Sequence, residues 1–224
     1  MSAQPGPLIA VLDYGMGNRR SVQKALEHVG ARAAITRDQR TLDDADGLVV
    51  PGVGAFPRAM GNLRELGLVE PLRVRVGQGT PLLGICLGMQ LLFDRSEELG
   101  GGEGLGLLAG SVSALQTGGR RIPHIGWNEV RFERQSPLTA GLPANGCAFY
   151  HVHSMAVRPA DPRDVIGSTE YGERFATIVA RGSVLGVQFH PEKSSTHGLR
   201  MLRNFAAMVA HDGETATSWA AAGA

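Results

Sequence analysis

The sequence predicts an α/β fold: a mostly parallel central sheet with helices on both faces, and a smaller antiparallel set of strands in the C-terminal half. Three observations carry this. Up to Gly100, apolar runs of strand length alternate with segments of helical periodicity, the pattern of a parallel sheet whose crossovers are helices. Beyond Gly100 the segments become short and many alternate in polarity, as half-buried antiparallel strands do. No internal repeat or linker breaks the chain, so residues 1–210 are expected to form one domain, with residues 211–224 a frayed tail of small and polar residues.

Taken in order, "LIAVLDYG" (Leu8 to Gly15) is an apolar run closed by glycine and reads as a buried first strand. In "NRRSVQKALEHVG", Val22, Ala25, Leu26 and Val29 share one helical face, and Gly30 is placed to end the helix. "ARAAIT" is a second strand. "DGLVVPGVG" (Asp46 to Gly54) is a third, which Pro51 and Gly52 are expected to break. A helical stretch from Ala59 to Val76 leads into "TPLLGICLG", the fourth strand, and "MQLLFDRSEEL" reads as the helix after it. The glycine-rich "LGGGEGLGLLAG" follows. Then "SVSALQ", "NEVRFE", "CAFYHVHSMAV", "DVIGSTEYG" and "FATIVARGSVLGVQFH" read as strands and hairpins. The closing helix "GLRMLRNFAAMVAH" turns Leu199, Leu202, Phe205, Ala206 and Val209 inward.

Composition narrows the function. With 224 residues, 43% of them hydrophobic, the chain can bury a sizeable core. A net charge of +1 and 5% aromatic content give no footprint for nucleic acid or an anionic membrane. Two cysteines, Cys86 and Cys147, exclude a disulfide framework and point to a reducing cytoplasm. The N-terminus lacks the pattern of a signal peptide, and no apolar run reaches the roughly 18 residues of a membrane span.

The most informative stretch is "LLGICLGMQLL", where Cys86 stands between Gly84 and Gly88. Glycine adds nothing to a core strand, so its presence calls for another reason. A residue flanked by glycines at a strand-to-helix turn can adopt a strained backbone that projects its side chain from the sheet edge, and G-x-C-x-G has the form of the nucleophile elbow G-x-S-x-G. A helix starting near Leu87 would aim amides at the sulfur and favour thiolate. The pentapeptide alone fits an inert buried cysteine equally well. A thiol nucleophile needs a base and a group to orient it. "GVQFHPEKS" (Gly186 to Ser194) offers His190 and Glu192, two apart on a segment that Pro191 holds extended, so that both side chains point the same way. "PGVG" (Pro51 to Gly54) ends the neighbouring strand on the same sheet edge. Amides of Gly52, Val53 and Gly54, with that of Leu87, are candidates for an oxyanion hole; an ordinary strand-ending turn is the competing reading.

"GICLGMQLL", "PGVGAFPRAM" and "GVQFHPEKS" resemble the class I, triad-type glutamine amidotransferases. "DYGMGNRRSV", "GEGLGLLAGSV", "PHIGWNEV" and "YHVHSM" extend the resemblance over nearly the whole chain. They select the branch whose members feed ammonia to a cyclase of histidine biosynthesis. The resemblance implies a flavodoxin-like fold, Cys86 as nucleophile, His190 as general base and then acid, and Glu192 as its orienting partner. It implies that Gln90, Glu98, His153 and Ser154 hold glutamine. It also implies no cofactor or metal, and a separate (β/α)8-barrel cyclase subunit that makes imidazole glycerol phosphate and aminoimidazole carboxamide ribotide. Asn18, Trp127 and Lys193 are expected at that interface. The chain departs from the branch at Arg19, His151 and Met155, where apolar or aromatic residues are usual. Glutaminases serving anthranilate, pyridoxal phosphate, guanylate or carbamoyl phosphate synthesis are the nearest alternatives, and a non-catalytic docking or regulatory module on the same fold is the other.

"GLGLLA" fits a dinucleotide fingerprint only loosely, because no strand precedes it. His151 and His153 share a strand face but lack a third ligand at metal-site spacing. Cys147 reads as inert core.

Overall fold

In the computed structural model, which describes residues 6–211, the elements run β1 (Leu8–Leu12), α1 (Arg19–His28), β2 (Arg32–Thr36), α2 (Gln39–Asp44), β3 (Gly47–Gly52), α3 (Phe56–Glu65), α4 (Val69–Gly77), β4 (Leu82–Cys86), α5 (Leu87–Leu91), β5 (Phe93–Ser96), β6 (Gly102–Glu103), β7 (Leu108–Ala114), β8 (His124–Phe132), β9 (Cys147–His153), β10 (Met155–Pro159), β11 (Val165–Tyr171), β12 (Glu173–Arg181), β13 (Val184–Val187) and α6 (Ser195–His211). The sheet order is β2-β1-β3-β4-β13-β12-β10-β7-β5-β6, with β11, β8 and β9 branching from β12. The first five strands are parallel; β12, β10 and β7 continue antiparallel. Apart from His211, the expected tail lies outside the described residues.

Alternation along the strands supplies two cores. In β1, Ala10 and Leu12 face one side with Leu48, Phe56, Met60, Leu72 and Leu91, beneath α2 to α5. Ile9 and Val11 face the other with Leu26, Leu83, Ile85, Leu202 and Phe205, beneath α1 and α6. Each fully buried Leu or Phe contributes about 1.5–3 kcal/mol. The helix that closes the chain buries Leu202, Phe205, Ala206 and Val209 as its periodicity predicts, together with Met201; Leu199 is half-buried.

Four local expectations change. β3 continues through Pro51 and Gly52, which pair with Ile85 and Cys86. Proline is tolerated because its backbone edge faces the β1 side beyond that strand's paired residues, where its carbonyl accepts from the Tyr14 hydroxyl at 2.6 Å. The Ala59–Val76 stretch is two helices. Gly67, at φ +66°, ends the first with amides of Gly67 and Leu68 bonded to the carbonyls of Arg64 and Leu63. The helix after Cys86 is only Leu87–Leu91; the chain then turns into β5, whose Phe93 packs in the core. Finally, α2 was not anticipated, although Asp38 caps it by accepting from the Thr41 amide at 3.0 Å.

Candidate active site

Cys86 is the last residue of β4 and precedes α5 directly, with φ +54° and ψ −111°. This is a left-handed conformation that a cysteine occupies only when its surroundings enforce it. The flanking glycines are what let α5 sit so close. A Cβ on Gly88 would stand 1.7 Å from the Val50 carbonyl oxygen, and one on Gly84 would stand 2.7 Å from that of Gly88. The glycines therefore serve backbone contact between helix and sheet, and the sharp turn between them leaves the thiol at the C-terminal edge of the parallel strands.

His190 follows β13, the strand beside β4, and the ladder pairs Val187 with Ile85. Its Nδ1 lies 2.9 Å from Glu192 Oε1, and its ring is near enough to the Cys86 thiol for the sulfur to act on its protonation. The side chains of His190 and Glu192 are 3% and 0% exposed. Burial alone would push the His190 ring down; hydrogen bonds to Cys86 and Glu192, and the charges of both, outweigh it and raise the ring to about 9. Ser194 fixes the segment: its hydroxyl donates to the His190 carbonyl at 2.7 Å and accepts from the Tyr150 amide at 2.9 Å. Cys86, His190 and Glu192, far apart in sequence, thus meet in one contiguous chain of contacts.

A cleft of about 210 Å³ opens beside the sulfur, lined by Val53, Gly54, Leu87, Gln90, Glu98 and the segment Val152 to Met155. Gly52 pairs with Cys86 on the strand below and is not part of the lining. Glu98 accepts from the Phe56 amide through Oε2 at 2.7 Å, which orients its carboxylate. Gln90, buried, donates to Gln188 Oε1 at 3.2 Å and to the Met155 carbonyl at 3.4 Å.

Behind the cleft lie three buried histidines. His153 Nδ1 donates to the Met155 carbonyl at 2.8 Å, so its neutral Nε2 accepts from His124 Nδ1 at 2.9 Å; His124 Nε2 then takes the Asn128 amide at 3.3 Å. His151 donates from Nδ1 to the Phe149 carbonyl and accepts from the Thr177 hydroxyl at Nε2. Every ring nitrogen is satisfied with all three rings neutral. Burial is the main cause that lowers each: His124 and His153 fall to about 4, and His151 lies well below its ordinary value. No group of three His, Cys, Asp or Glu side chains suited to a metal occurs among the described residues. Cys147 is buried, and burial raises it to about 11, ahead of the charge of Glu129.

At the rim, Trp127, Ile125 and Ile122 are 55%, 59% and 55% exposed, adjoining Pro123, which lines the cleft. Asn18 is half-buried at the start of α1 and Lys193 is exposed. Sequence reasoning missed Gln188, Ser194 and His124. For Gln188 a signal existed: one amide in the apolar run "GVQFH", two positions before His190.

The family model described as "Glutamine amidotransferase class-I" matches residues 10–209. The chain is 51% identical to "Imidazole glycerol phosphate synthase subunit HisH" of Moorella thermoacetica over 205 residues, covering 92% of this chain and 97% of that one. It is 50% identical to the protein of the same name from Aquifex aeolicus, covering 87% and 94%. Among solved structures, one titled "Crystal structure of glutamine amidotransferase" superposes with a TM-score of 0.69 at 26% identity, covering 90% of this chain and 98% of the other.

Proposed function

Because the chain belongs to the class I glutamine amidotransferases, we propose that it is a glutaminase subunit that supplies ammonia to the cyclase of imidazole glycerol phosphate synthase. The observation that carries this reading is the Cys86–His190–Glu192 contact chain at the edge of the sheet, next to a cleft of substrate size.

The thiol of Cys86 passes its proton to His190, and the sulfur attacks the side-chain amide carbon of glutamine. Glu192, bonded to Nδ1, holds the ring so that Nε2 faces the sulfur and stabilises the imidazolium. Of the four candidate amides, those of Val53, Gly54 and Leu87, which line the cleft, receive the oxyanion, while Gly52 lies outside the lining, paired with Cys86. His190 returns its proton to the departing nitrogen, ammonia leaves, and a glutamyl thioester remains on Cys86. His190 then deprotonates a water that attacks the thioester, releasing glutamate and restoring the thiol. The free oxygen of Glu98 pairs with the ammonium of the substrate. Gln90 and the backbone at His153 and Ser154 hold its other polar end.

Ammonia goes to a separate subunit. The relatives are named as subunits, which implies a partner. We assign that partner a (β/α)8 barrel, docked on the apolar rim of Ile122, Ile125 and Trp127, with Asn18 and Lys193 at its edge, in the cytoplasm. The 1–210 segment acts as one domain.

The test is product formation by the purified complex with the cyclase. Cys86→Ala is expected to abolish the glutamine-dependent reaction and leave the ammonium-dependent one. Loss of both in a folded complex, or retention of both, overturns the assignment.

A further inference from the structure

The mechanism gives no part to Gln188, a fully buried amide beside the nucleophile. We propose that Gln188 stabilises the thiolate of Cys86: its side-chain N–H donates to the sulfur and sets how readily the thiol gives up its proton. This rests on Cys86 being the nucleophile and deepens that reading.

Gln188 follows Val187, the last residue of β13, whose ladder partner Ile85 precedes Cys86. Its backbone amide is fixed to the Thr177 carbonyl at 2.9 Å. Its Nε2 lies 3.8 Å from Cys86 Sγ. The orientation of the amide is not free. Gln90 Nε2 can only donate, so the Gln188 atom that meets it at 3.2 Å is the oxygen, and the nitrogen must be the end that faces sulfur. Gln90 is anchored in turn at the Met155 carbonyl. Two amides therefore link the substrate-lining segment to the reacting atom.

The neighbours of the sulfur divide by the state they favour. The Val152 carbonyl, 3.6 Å away, accepts and so favours the thiol. Gln188 and protonated His190 donate and favour the thiolate, and such a bond strengthens when its acceptor is charged. Without Gln188 the imidazolium would be the one side-chain donor left to oppose the carbonyl. An apolar side chain of similar length would fill the space, so packing does not explain a buried primary amide there.

Three titratable groups nearby hold one charge state through the neutral and basic range. Tyr14 is pushed up by burial and by the charge of Cys86, whereas His151 and His153 are held neutral by burial. Glu192 is tied to His190. A pH profile from about 6 to 10 thus reports the Cys86–His190 pair.

The experiment is alkylation of the chain by iodoacetamide across that range, without substrate, read at the Cys86 peptide by mass spectrometry so that Cys147 does not contribute. Gln188→Met and Gln188→Leu are compared with the wild type. Two side chains of different shape separate loss of the donor from altered packing, and either alone suffices if the other does not fold. The midpoint for Cys86 is expected to rise by about one pH unit, a tenfold loss of thiolate at a given pH. Variant profiles that superimpose on the wild type, even with a lowered melting temperature, overturn the proposal. A wild-type midpoint at or above that of an ordinary thiol, about 8.5, overturns the reading of Cys86 as an activated nucleophile and this proposal with it.

Discussion

At position 86 the backbone itself carries stored free energy, because a cysteine at φ +54° and ψ −111° occupies a region suited to glycine. The cost is separable from the chemistry. Cys86→Gly and Cys86→Ala both remove the sulfur, but only glycine relieves the backbone. Cys86→Gly is expected to be more stable than Cys86→Ala by about 1–2 kcal/mol in chemical denaturation, with neither hydrolysing glutamine. Equal stabilities would mean that the turn is unstrained. The residues of the contact chain were readable in the sequence because each carries a local mark: glycines around Cys86, and His190 and Glu192 only two residues apart. The segment between them is not the extended chain expected, because Pro191 opens a single 3-10 turn, Pro191–Lys193, that brings Glu192 back onto the His190 ring. Gln188 and Ser194 carry no such mark, since their roles depend on which strand lies beside them.

Among the elements, the seat of α5 on β3 and β4 is the tightest fit. Gly88→Ala would drive a Cβ into the Val50 carbonyl, displacing α5 and with it the turn that holds Cys86. We expect a loss of about 3 kcal/mol or more, or failure to fold. Gly61 in α3 and Gly77 in α4 face open space, so Gly61→Ala and Gly77→Ala should each stabilise by up to about 1 kcal/mol. Thermal melts of the three variants check the contrast, and a neutral Gly88→Ala would contradict the packing account. The strand-helix alternation was legible because apolar periodicity is a local signal. The break at Gly67 and the early end of α5 were not. Both are set by what packs against the segment: Phe93 is taken into the core as a strand residue although its neighbours continue a helical pattern.

For the whole molecule, buried imidazoles set opposite limits on the pH range of stability. His190 binds its proton more tightly folded than unfolded. Its contribution is complete below about pH 6.5 and is lost as pH rises toward 9, an effect of up to about 3 kcal/mol. His124 and His153 bind theirs more weakly when folded. Their contribution is complete above about pH 6.5 and is lost as pH falls toward 4. The melting temperature should therefore peak near neutrality and fall on both sides. His190→Asn is expected to flatten the basic limb, and His151→Phe, which removes one of the three neutral rings, the acid limb. Slopes identical to the wild type in both variants would refute this attribution.

The sulfur and the imidazole ride on strands laced directly to each other, β4 against β13, while the turn after Gly52 hangs from the opposite neighbour, β3. A displacement of that turn is therefore handed to Cys86 across a single ladder pair, Gly52 with Cys86, while the imidazole stands on the far side of β4 from it.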